Sequence, residues 1–203
     1  RQKIERDEAE ILSGVRRGKT IGSPIVLCVR NRDHRIDRIP PETVPRPGHA
    51  DLAGLLKRGG EDIHNVAERA SARETAARVA AGAMAQSLLH YFNMEVTAHV
   101  LEIGNVRARR TSSLTPAKAR ALREKSELYT LDPQGDPRMK RAIDQARRAG
   151  DTLGGTFQVI GWGIPPGLGD CTQWDLRLDG RLAQALMSVQ AIKGVEIGLG
   201  FPG

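Results

Sequence analysis

Between Glu61 and Asn93 the chain is dominated by alanine: Ala70, Ala72, Ala76, Ala77, Ala80, Ala81, Ala83 and Ala85 follow one another closely. Alanine loses almost no side-chain entropy in a helix, so this run has strong helical propensity. Ile63, Val66, Ala70, Ala77, Met84 and Leu88 recur near a 3.6-residue period. The pattern predicts a helix over 61–93, and its small side chains, with Gly82 among them, suit close packing against neighbours in a core. Aromatic residues are only 3% of the chain, so any core must be built from Ala, Val, Ile and Leu.

The rest of the chain is arranged around that helix. Residues 9–15 and 24–30 have the composition of two strands, punctuated by Gly14, Gly18 and Gly22. The apolar run Ile25 to Val29 predicts burial on both faces and makes Cys28 a core thiol. Residues 31–46 are polar, contain Pro40, Pro41 and Pro45, and predict a loop. Residues 95–103 alternate as a strand ended by Gly104. A short helix should follow Thr115-Pro116, with the threonine capping and the proline in the first turn. Further expectations are a helix over 137–149, a strand over 155–164, a rigid turn from Pro165 to Gly169, and a helix over 179–193 capped by Asp179 and stopped by Gly194. Strands and helices mix without tidy βαβ units, which favours an α+β fold.

The net charge of +7 over 203 residues favours polyanions or phosphorylated small molecules as partners. A basic nucleic-acid-binding module is one reading. Against it stand the near absence of stacking aromatics and of any zinc-finger or RNA-binding signature. Much of the positive charge lies at 107–110, 118–125 and 138–148. The last two stretches also carry acids at helical spacing, as solvated helix faces do. No stretch has the roughly 20 apolar residues of a membrane helix. Cys28 and Cys171 make neither a disulfide framework nor a zinc site, and a cytoplasmic location is expected. No histidine pair has metal-ligand spacing, so no metal is expected.

Two groups of residues suit chemistry on an anion. His49 follows Gly48 at a bend, close to Arg46, and an imidazole titrates near neutral pH. Its bland alternative is a loop histidine making a structural hydrogen bond or simply an exposed ring. Arg69 and Arg73 are four apart and share a helix face, and a guanidinium grips carboxylate or phosphate with two hydrogen bonds. Their bland alternative is a helix surface ion-paired with Glu68 and Glu74. The glycines at 154–155 and 161–169 match neither a P-loop nor a dinucleotide fingerprint.

Taken together, several segments resemble chorismate synthase: Glu10-Ile-Leu-Ser-Gly-Val-Arg, Gly22-Ser-Pro-Ile, Asn31-Arg-Asp, Arg46-Pro-Gly-His-Ala-Asp, Glu68-Arg-Ala-Ser-Ala-Arg-Glu-Thr-Ala-Ala-Arg-Val-Ala, Gly150-Asp-Thr-Leu-Gly-Gly, Pro165-Pro-Gly-Leu-Gly, and Ala185-Leu-Met-Ser-Val-Gln-Ala-Ile-Lys-Gly-Val-Glu-Ile-Gly. The resemblance implies an α+β sandwich, with long helices packed between antiparallel sheets, assembled as a homotetramer. It implies an anti-1,4-elimination of phosphate from 5-enolpyruvylshikimate-3-phosphate to give chorismate. Reduced FMN is the implied cofactor, with NADPH added where the same chain also reduces the flavin. It matches His49 to a catalytic histidine that gives a proton to the reduced ring. Arg46, Arg73 and Arg1 match substrate-binding residues. Arg69, Ala70 and Ser71 match a segment that contacts FMN, with Ala70 where many relatives carry serine. The family's Gly-Glu-Ser-His-Gly motif, its Gly-Tyr-Gly-Arg segment and its Gly-Gly-x-Ser-Asn-Gly stretch have no counterpart here. The region from Asp33 to Arg46 is also shorter than usual and lacks its typical tryptophan. The chain therefore reads as a single domain, 1–203, incomplete at both ends. The alternative to an active enzyme core is an inactive fragment or structural remnant.

Overall fold

The structure is a computed structural model that describes residues 7–31, 38–70 and 72–201. It divides into two units, one formed by residues 1–85 and 167–203 and the other by residues 86–166.

In the first unit, β1 (Ala9–Ser13) pairs antiparallel with β4 (Val26–Val29), and β2 (Val15–Arg16) pairs with β3 (Lys19–Thr20). Gly14 separates β1 from β2 at φ +84°, and a Cβ there would lie 2.6 Å from the Pro24 carbonyl oxygen, so only glycine fits. The expected burial of the 25–29 run is not found. Ile25 and Val26 are exposed, and Cys28 is half-buried rather than a core thiol. This ladder has just two strands, and a two-stranded ribbon has too few neighbours to cover both faces.

Helix α1 (Asp51–Arg58) is an element that the sequence pattern did not mark. It ends at Gly59, whose φ of +65° closes the last turn. Beyond it the 61–93 run is helical as α2 (Ile63–Ala70) and α3 (Ala72–Tyr91). Helices α1 and α2 pack together because Gly54 has no side chain: a Cβ there would lie 2.3 Å from Val66 Cγ1. Ile63 and Val66 are buried at this contact. By contrast, α3 is not the core helix expected. Ala80 is its one buried residue among those described, and Val79 is 68% exposed. Alanine makes helix formation easy but contributes little apolar area, so it does not dictate which face is covered.

The second unit holds a three-stranded antiparallel sheet in the order β6-β5-β7, from β5 (Glu95–Ile103), β6 (Val106–Arg107) and β7 (Gly155–Trp162). A bulge between Val100 and Glu102 shifts the β5–β7 register. Helix α4 (Pro116–Lys125) starts as expected, with the Thr115 hydroxyl accepting the Lys118 N–H. Helix α5 is Asp136–Arg148. The buried face of β5 carries Thr97 and His99, while Ala98 is exposed. Glu95, of the same parity, pairs with Arg120 of α4 at 3.5 Å. A buried polar knot fixes the α4–α5 connection. Asp136 accepts from the Ser126 hydroxyl (2.8 Å) and the Thr130 hydroxyl (2.9 Å), while Ser126 Oγ accepts the Thr130 N–H (2.9 Å).

The final helix, α6 (Leu178–Met187), returns to the first unit. Its N-cap position is Arg177, which makes no side-chain cap, rather than Asp179, and it stops at Met187, well before Gly194. The Ser188 hydroxyl donates to the Ala185 carbonyl at 2.7 Å, and the chain beyond it turns its side chains onto α3. The observed class is α+β with antiparallel ladders, as the pattern of elements predicts.

Candidate functional site

Arg46 lies between Pro45 and Pro47, which hold the backbone extended. Gly48, at φ +72°, then reverses it, and the His49 N–H donates to the Arg46 carbonyl at 3.4 Å. The bend delivers Asp51 to the first residue of α1, where a carboxylate suits the positive end of the helix. Asp51 is only 1% exposed, and Arg46 surrounds it. The Arg46 backbone N–H donates to Oδ2 at 3.0 Å, Nε donates to Oδ2 at 2.8 Å, and Nη2 donates to Oδ1 at 3.0 Å. This side-on fork holds the Asp51 carboxyl at about 2, its side-chain hydrogen bonds from Arg46 being the largest cause, and raises the guanidinium in turn.

His49 is exposed on the same loop. Its Nδ1 lies 2.9 Å from the Pro47 carbonyl oxygen. A carbonyl only accepts, so the proton is on Nδ1 and Nε2 is the nitrogen left for a ligand.

A second group lies along α2 and α3. Arg69, in the last turn of α2, is exposed and makes no ion pair with the described residues. Arg73 pairs with Glu68, and Arg78 pairs with Glu74, so one of the ion pairs foreseen for this surface engages the candidate Arg73 itself. Gln190 binds the helix from the distant end of the chain. Its amide donates to the Ala70 carbonyl at 3.2 Å and to Glu74 at 2.8 Å, and its Oε1 accepts from the Thr75 hydroxyl at 2.8 Å. Arg78 donates to the Ser188 hydroxyl at 2.9 Å. Arg1 and Ser71 lie outside the described residues.

Of the candidates, Arg46 and His49 therefore share one loop, and Arg69, Ala70 and Arg73 share one helical stretch. The α1–α2 contact ties the loop to that stretch within one unit. Sequence reasoning gave no role to Asp51 or Gln190. An acid five residues after Arg46 was a visible signal for the first, but nothing local marked Gln190, whose partners are more than a hundred residues away.

The other histidines have structural surroundings or none described. His34 lies outside the described residues. His64 Nδ1 is 2.8 Å from Asp62, which also takes the His64 and Glu42 N–H groups. Burial pushes the His99 imidazole down, and its Nδ1 has no partner among the described residues. No group of metal-binding side chains occurs among the described residues. A cavity of about 690 Å³ in the second unit, lined by Val100, Ile143, Leu153 and Phe157, holds none of the candidates. The chemistry of the 46–51 loop, a fixed guanidinium beside an available imidazole nitrogen, marks the site better than volume does.

Fold and loop together define an α+β protein that carries an Asp51-bound guanidinium and an exposed imidazole on one turn. The family model for chorismate synthase matches residues 1–203, and this chain belongs to the chorismate synthase family. It is 53% identical over 214 residues to the chorismate synthase of Geobacter sulfurreducens, covering 99% of this chain and 54% of that protein. It is 54% identical over 212 residues to that of Moorella thermoacetica, covering 99% and 55%. A solved crystal structure of chorismate synthase superposes with a TM-score of 0.83 at 46% identity, over 97% of this chain and 57% of the solved one. The chain thus spans about half the length of the curated relatives it matches. No helix among the described residues is long and apolar enough to cross a membrane.

Proposed function

We propose that this chain supplies part of the active site of an enzyme that eliminates phosphate from 5-enolpyruvylshikimate-3-phosphate to form chorismate. The observation that carries this reading is the 46–51 loop, where Arg46 is locked in place and His49 presents Nε2, in a chain of this family. In the reaction the C3–O bond breaks, phosphate leaves with the electron pair, the C6 proton is lost and a new C=C bond forms, with no net redox change.

The substrate carries two carboxylates and a phosphate, and FMN carries another phosphate. Arg46 offers its remaining guanidinium edge to a substrate anion, and Arg73 is the second cation for that role. Arg69, exposed and free of ion pairs among the described residues, fits the charge of the FMN phosphate, with Ala70 and Ser71 beside it in the chain. Reduced FMN, when bound, supplies electron density to the departing group. His49, with Nδ1 committed to Pro47, holds and transfers its mobile proton at Nε2. Glu68 keeps Arg73 oriented on the helix surface. NADPH enters only as a source of reducing equivalents in a chain that also reduces flavin.

The test is phosphate release from the substrate by the full-length enzyme with reduced FMN under anaerobic conditions. His49→Ala should lower the rate by roughly 10²- to 10⁴-fold, the usual contribution of a positioned acid or base. Wild-type turnover in that variant removes His49 from the mechanism.

A further inference from the structure

We infer that Asp51 is the positioning residue of this site: its buried carboxylate fixes the Arg46 guanidinium so that one edge stays available beside His49. The inference rests on the functional reading above. It deepens that reading by naming a residue that acts on substrate only through another side chain.

Three observations support it. Asp51 takes three N–H groups from a single residue, the Arg46 backbone N–H, Nε and Nη2. The Nε–Nη2 edge is thereby used up, and Nη1 makes no hydrogen bond among the described residues, so the free edge has one direction. The burial is one-sided. Asp51 keeps 2% of its side-chain surface while Arg46 keeps 51%, so the carboxylate is the sealed anchor and the guanidinium the displayed group. The same few atoms also shape the bend. Asp51 holds the Arg46 N–H, and the Arg46 carbonyl holds the His49 N–H. Arg46 and His49 are thus presented from one closed turn rather than from two independent segments. An arginine fixed in this way loses less freedom on gripping a planar anion.

A purely structural ion pair would look similar, so the test separates the two. In the full-length enzyme, kcat and KM are measured for wild type, Asp51→Asn, Arg46→Ala and the double variant, with thermal unfolding to check folding. If Asp51 works through Arg46, Asp51→Asn costs about ten- to a hundredfold in kcat/KM, mostly through KM. In the Arg46→Ala background the same change then costs less than about threefold, because coupled residues are non-additive. Equal losses in both backgrounds, or no loss in wild type, overturn the proposal.

Should Asp51→Asn fail to fold, Arg46→Lys takes its place. Lysine keeps the charge but cannot make the two-point fork, so KM should rise about as far as in Arg46→Ala. A wild-type KM in Arg46→Lys overturns the proposal as well. A wild-type enzyme that releases no phosphate sinks the functional reading and this inference together. An active wild type with additive variants sinks this inference alone.

Discussion

Asp51 ties the stability of the first unit to acid conditions. In the folded chain its carboxyl stands at about 2, against an ordinary 3.8. A depressed carboxyl stabilises the fold above its unfolded value, and that contribution is lost as pH falls from about 4 towards 2. Asp51→Asn removes the group, so the variant should be less stable at pH 7 but lose less on acidification. Circular dichroism from pH 5 to pH 2 checks this, and parallel curves for the two proteins refute it. At this scale the sequence was informative where a residue's role depends on its own chemistry. Arg46 and His49 could be nominated because a guanidinium and an imidazole carry their function with them. Asp51 drew no role, although an acid five residues after Arg46 was visible, because its importance depends on a burial that only the fold creates.

Among elements, the α1–α2 contact leaves no room for a side chain at Gly54. Gly54→Ala would ordinarily stabilise a helix by about 1 kcal/mol, but here the new Cβ would meet Val66 Cγ1 at 2.3 Å. Val66 is β-branched and buried, with little freedom to move aside. Overpacking of this kind costs about 1–3 kcal/mol, so Gly54→Ala should be a net loss by urea denaturation. In a Val66→Ala background that loss should vanish. A stabilising effect of Gly54→Ala in the wild-type background would show that the two helices slide apart freely.

Elements with local signals were legible: β5 falls on the predicted residues, and α4 begins at the predicted Thr115 cap. Elements decided by tertiary contacts were not. The glycines at 54, 59 and 60 hid α1, although Gly54 exists for its packing and Gly59 for its end. Helix α6 stops at Met187, and beyond it Ser188 and Gln190 bind Arg78 and Glu74 of α3.

For the molecule as a whole, the family was legible because its motifs are scattered along the chain and survive without any knowledge of packing. The exposure of α3 was not, because apolar residues such as Val79 and Leu88, 68% and 61% exposed, carry no mark in the sequence of whether anything covers them. Exposed apolar surface of this extent drives association. The 203-residue chain on its own should therefore bind a hydrophobic dye and self-associate with rising concentration, as read by fluorescence and light scattering. Serine at Val79 and Leu88 should reduce both signals, and a monomeric, dye-silent chain would contradict this.

The contact between Gln190 and Ala70 spans 120 residues, and the whole of the second unit is encoded inside that span. During synthesis, at about 5–20 residues per second, the α2 and α3 segments bearing Arg69 and Arg73 would emerge roughly 6–24 s before the residue that ties them down. The stretch bearing these two arginines would thus be one of the last features of this chain to set, its assembly waiting on a segment distant in sequence.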